Sequence, residues 1–82
     1  MKIYADIDEE EFEIIINKIT NNVKKYRKEK KFTQEMLSLA IGHTSASMLS
    51  KIEAGLEDKK FSIRQLYLIS KALDIELYEF FK

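Results

Sequence analysis

The segment from Phe32 to Glu53, FTQEMLSLAIGHTSASMLSKIE, carries two short apolar sets at helical spacing with a single glycine between them. Leu37, Ala40 and Ile41 share one face of a first helix running from about Thr33 to Ile41. Thr33 is placed so that its hydroxyl accepts from the orphan amides at the start of that helix. Gly42 stands where the chain must enter a left-handed conformation before it turns. Thr44 or Ser45 then caps a second helix, in which Leu49 and Ile52 point inward while Ala46, Ser47, Ser50 and Lys51 point outward.

Around this pair the periodicity calls for further helices and an all-α fold. Phe12, Ile15, Ile16, Ile19, Val23 and Tyr26 recur at intervals of three and four, which predicts a helix from about Glu9 to Lys30. Asp8 and Glu11 have the spacing of a capping box, with a carboxylate as the cap. Three poor helix formers, Thr20, Asn21 and Asn22, leave two possibilities open: one long helix, or two helices with a break there. Beyond a polar loop from Gly55 to Phe61, Ser62 caps a helix over Ile63 to Leu73 with Ile63, Leu66, Ile69, Ser70 and Leu73 inward. A last helix spans Glu76 to Phe81, with Leu77, Phe80 and Phe81 apolar, and Met1 to Ile7 reads as a short extended arm. One core is expected from Val23, Tyr26, Phe32, Leu37, Ala40, Ile41, Leu49, Ile52, Ile63, Leu66, Ile69, Leu73 and Leu77.

Composition narrows the function. At 82 residues the chain is one small domain, too small for a large catalytic cavity. It has no cysteine for a disulfide or thiolate metal site, and neither a nucleophile-base constellation nor a glycine-rich phosphate loop, so an enzyme is not expected. His43 is the only histidine and has no carboxylate cluster beside it, so it reads as a turn residue; no metal and no cofactor are expected. No apolar run reaches the length of a membrane span and the first residues are acidic, which argues for a cytoplasmic protein without a membrane partner.

The outward face of the second helix holds small polar groups and one lysine, with no acid before Glu53. Such a face suits the DNA major groove, where base edges offer donors and acceptors and bulky or negative side chains are excluded. The formal net charge is zero, which argues against general polyanion binding, but the charge is divided unevenly. Residues 1 to 13 hold six acidic side chains against Lys2, a net of minus five, so the rest of the chain carries plus five. The positive charge gathers at Lys18, Lys24, Lys25, Arg27, Lys28, Lys30 and Lys31, and again at Lys59 and Lys60. This suggests a basic face and a separate acidic appendage; the plainer reading of the lysine run is a solvated helix surface.

The chain resembles the phage-repressor type of helix-turn-helix protein, the Xre-like family, from about Ile19 to Phe81. The matching residues are Val23, Tyr26 and Arg27, the Phe32-Thr33-Gln34 entry, Leu37, Gly42, the run Leu49 to Glu53, Gly55, and the series Ile63, Leu66, Ile69, Ala72, Leu73 and Leu77. The resemblance implies a lambda-repressor-like five-helix DNA-binding domain over residues 17–82, preceded here by an acidic and apolar helical extension over residues 1–16. It also implies a role for double-stranded DNA as partner, with Ala46, Ser47, Ser50 and Lys51 facing bases. Gln34, Thr44, Lys59 and Lys60 would face phosphates, and an Arg27–Glu53 pair would bridge the first and third helices. The interval from Gly42 to Gly55 is one residue longer than the commonest family spacing, with His43-Thr44-Ser45 filling the turn, so Ser45 competes with Ala46 for its base-facing place.

Two functions from different classes follow. The first is a sequence-specific transcriptional regulator, a repressor that binds a palindromic operator as a homodimer, since one recognition helix makes too few contacts for regulatory affinity. The second is a protein-interaction module that keeps the fold with weak or no DNA binding, favoured by the neutral charge, a recognition face with one lysine and no arginine, the acids at Glu57 and Asp58, and the apolar N-terminal segment. Met36 and Leu39 lie outward on a face that should be wet, and the N-terminal extension or a protein partner is expected to cover them.

Overall fold

Helix α1, Glu9–Glu29, starts on Asp8, whose carboxylate accepts from the Glu10 and Glu11 amides at 3.0 and 3.2 Å. In the computed structural model, which describes residues 8–56 and 58–82, α1 runs unbroken through Thr20, Asn21 and Asn22. Tertiary contacts outweigh the poor propensities there. Thr20 is buried, and the Asn22 amide donates to the carbonyls of Phe80 and Lys82 at 2.9 and 3.1 Å. The extended arm expected for Met1 to Ile7 lies outside the described residues.

Three further α-helices follow: α2 (Gln34–Ala40), α3 (Ser47–Ala54) and α4 (Ile63–Leu73). The Ser62 hydroxyl accepts from the Gln65 amide and the Gln65 side chain accepts from the Ser62 amide, a reciprocal box that fixes the start of α4. The last element is a 3-10 helix, Leu77–Phe81, rather than a fifth α-helix. Its tighter winding stacks i on i+3, so Leu77 and Phe80 face the core together while Phe81 is turned out. Among the described residues there is no strand.

Val23, Leu37, Ile41, Leu49, Leu66, Ile69, Leu73 and Phe80 form the buried core, with Ile52 buried as well. Tyr26, Phe32 and Leu77 pack partly buried against it. Two expected core residues are not there. Ala40 is exposed, because α2 turns the arc of Leu37, Ser38 and Ile41 inward; Ser38 takes the place expected for Ala40. Ile63 has the right phase, but it is the first residue of α4 and stays exposed.

The first turns of α1 project past this core. Phe12, Ile14 and Ile15 are exposed, whereas from Ile19 onward the same helix packs into the domain. Met36 and Leu39 are also exposed, so the cover expected over them is not provided by residues 8–16.

Candidate nucleic-acid interface

The two helices of the Phe32–Glu53 segment are set by local chemistry at each end. Thr33 caps α2, its hydroxyl accepting from the Met36 amide at 3.0 Å. Gly42 adopts φ +94°, and the His43 amide returns to the Ser38 carbonyl at 2.9 Å, closing the turn. At the far end Gly55, φ +71°, ends α3 in the left-handed conformation. Both glycines thus do what the sequence asked of them.

The start of α3 differs from expectation. Ala46, not Thr44 or Ser45, occupies the cap position and its side chain makes no capping bond; the Ser47 amide, the first of α3, donates to the Ser45 hydroxyl at 3.4 Å. The extra turn residue shifts the helix start one or two places toward the C-terminus. Ser45, Ser47 and Ser50 are exposed, and Ala46 and Lys51 are half-buried. His43, Thr44, Ser45, Ser47, Met48, Lys51 and Lys59 line one concavity of about 270 Å³ on this face. Thr44, Ser45, Ser47, Lys51 and Lys59 were singled out from sequence. Met48 was not, because one apolar residue on a short helix gives no signal of facing outward; its sulfur also receives the Gln65 amide at 2.9 Å.

The helix pair is locked to α1 from beneath. Arg27 donates to Glu53 through Nε and Nη2 at 2.7 and 2.9 Å, and through Nη1 to the Phe32 carbonyl at 2.7 Å. Both side chains are almost wholly buried. The Gln34 amide donates to Glu53 Oε1 at 3.1 Å, so one of its two hydrogens is committed to the fold.

The loop lysines are unlike each other. Lys59 is exposed beside the concavity. Lys60 is held by the Asp58 carboxylate at 2.6 Å, with Glu13 of α1 3.8 Å away. The hydrogen bond that Lys60 donates to Asp58 raises its ammonium above the ordinary lysine pKa, so it stays charged while part of its field is already neutralised.

The sequence profile of the helix-turn-helix family matches residues 23–80. The chain belongs to the helix-turn-helix family of the Xre, Cro and lambda-repressor type. This family is one of DNA-binding regulators. No curated protein and no solved structure matches the chain. The helix-turn-helix match begins at Val23, in the middle of α1, and the exposed apolar turns of that helix lie outside it. Among the described residues no helix is long and apolar enough to cross a membrane.

Proposed function

We propose that this helix-turn-helix protein is a cytoplasmic, sequence-specific repressor that binds a palindromic operator as a homodimer. The observation that carries the reading is the concavity on α3, which has no acid among its described lining residues, within a domain of this family. Ser45, Ala46, Ser47, Ser50 and Lys51 meet base edges: Lys51 has the reach for guanine acceptors, the serines serve donors or acceptors, and Ala46 suits a thymine methyl. Gln34, Thr44, Lys59 and Lys60 meet phosphates, Gln34 at the N-terminus of α2 where free amides and the helix dipole favour an anion. Residues 17–82 form the DNA-binding unit and residues 1–16 the extension.

Selection from random and genomic fragments, followed by titration at two salt concentrations, tests the reading. A recovered palindrome, bound far more tightly than random duplex, is the expected result. Equal and weak affinity for all sequences would sink it.

A second reading, a protein-interaction module, is favoured by one specific observation: Asp58 and Glu13 hold Lys60, which lowers the positive field that phosphate would meet. The same titration decides, since a module of that kind would bind no duplex at physiological salt.

A further inference from the structure

The N-terminal half of α1 is an amphipathic helix whose apolar side has nothing to pack on within the described residues. Asp8, Phe12, Ile15 and Ile19 fall within about 60° of one another around the helix axis. Phe12 is 37% exposed, Ile15 49% and neighbouring Ile14 68%, while Ile19 marks the point where the seam runs into the domain core. Phe12 and Ile15, side by side on one helix end, are a surface that water leaves unfavourably uncovered, whereas Ile14 lies about 100° around the axis from Ile15.

The charges of α1 name the occupant. Its first turns carry Asp8, Glu9, Glu10, Glu11 and Glu13, and its later turns Lys18, Lys24, Lys25 and Lys28. A second α1 laid parallel would set acid against acid. Laid antiparallel about Ile15, it sets Glu11 of each copy beside Lys18 of the other, while the other acids of the first turns meet uncharged positions. Glu11 and Lys18 lie about 20° apart around the axis, both are exposed, and both flank the apolar seam. An axis of two-fold symmetry near Ile15 therefore brings Ile15 against its counterpart, Phe12 of each copy toward Ile19 of the other, and Glu11 of each toward Lys18 of the other. Apolar and charged registers agree on one centre, as an isologous contact requires.

We infer that α1 residues 8–19 form the homodimer seam, an antiparallel pairing of two copies about Ile15. The seam supplies the dimer on which the repressor reading rests, by residues outside the span matched by the family profile.

Sedimentation of the full chain without DNA, across a wide concentration range, tests this. The wild type is expected to be a dimer. Ile15→Glu should be monomeric with its helical circular dichroism and melting transition retained, because Ile15 is 49% exposed and lies outside the hydrophobic core. Glu11→Lys and Lys18→Glu should each weaken dimerisation about tenfold by creating two symmetric repulsions, and the double exchange should restore it. A wild type that is monomeric throughout, whether because residues 1–7 cover the seam in cis or for any other reason, overturns the inference. So does a dimer indifferent to Ile15→Glu, or a double exchange without recovery. Failure here is separable from failure of the repressor reading: a monomer that still selects one half-site sequence removes the seam alone. A dimer obeying the charge exchange but blind to DNA removes the repressor alone.

Discussion

Arg27 reaches from α1 to grip Glu53 at the end of α3 with two hydrogen bonds, at 2.7 and 2.9 Å, in a setting where both side chains are nearly dry. The pair orients α3 against the scaffold. Glu53→Leu would leave the guanidinium buried with only the Phe32 carbonyl, and should cost about 3 kcal/mol in chemical denaturation. Replacing both partners with apolar residues should cost less than either single change, because no lone charge is left behind. Equal or additive losses would show that water reaches the pair.

Gly42→Ala isolates backbone strain. An added Cβ at φ +94° meets nothing within 4 Å, so the expected loss of about 1–2 kcal/mol is conformational and not steric crowding by neighbours. Gly42→Asn should cost distinctly less, since asparagine tolerates left-handed backbone better. Indistinguishable melting curves for the wild type and the alanine variant would refute this.

Asn22 fastens the C-terminal 3-10 helix to α1 through two carbonyls. Asn22→Ala should cost about 1 kcal/mol and speed hydrogen exchange in residues 77–82 before anywhere else. Asn22→Asp should be worse, as a carboxylate would then face two carbonyl oxygens. Unchanged exchange in both variants would deny the link.

Glu79 bonds Lys82 at 2.9 Å and accepts from the Tyr26 hydroxyl at 3.0 Å. Lys82 first, then Tyr26, lowers its pKa below the ordinary 4.5. A lowered folded value means a stabilising contribution that is complete above the unfolded pKa and lost as pH falls through the folded one. The gap in melting temperature between wild type and Glu79→Gln should therefore be constant near neutrality and close in acid below 4.5. A gap that persists there would show that charge is not the cause.

Asp58→Asn releases Lys60 from its strongest partner and removes a negative charge from the loop. Asparagine is suited to the left-handed φ of +54° at this position, so the fold should be kept. Affinity for every duplex, cognate or random, should rise several-fold with a steeper salt dependence. Lys51→Ala, in contrast, should cost about 1–3 kcal/mol on the selected operator and little on random DNA. A Lys51 variant equally weak on both would mean that α3 does not read sequence through that residue.

What the sequence disclosed was local. Thr33, Gly42, Gly55 and Ser62 act on backbone within a few residues, and each ends or starts a helix where its chemistry requires. The Arg27–Glu53 pair was legible through resemblance alone, since nothing in the spacing joins residues 26 positions apart. Long-range arrangements escaped. The Asn22 contacts span 58 and 60 positions, and without them Thr20-Asn21-Asn22 reads as a breaker. Ser38 looked polar and therefore outward, yet it is fully buried with its hydroxyl unpartnered while Ala40 faces water. A rotation of α2 by a fraction of a turn decides this, and the pattern of a seven-residue helix is too short to fix it. The start of α3 slipped for a related reason: with a threonine and two serines near the turn, several cap positions were chemically equivalent and the chain chose Ala46.

Because α1 is one uninterrupted helix of 21 residues, about 31 Å long, it would be a ruler as well as a strut in the inferred dimer. Ile15 sits six residues from the start of that helix and Arg27, which holds α3, two residues from its end, about 18 Å away along the axis. Every residue added between them lengthens it by about 1.5 Å and rotates the domain by about 100°. A single insertion after Ile19 would keep the residues of the inferred seam in register with one another but aim each domain at another side of the duplex. A four-residue insertion, close to one full turn, would keep the aim and carry each domain outward by about 6 Å. Operator spacing would thus be written into the length of a helix that touches no base.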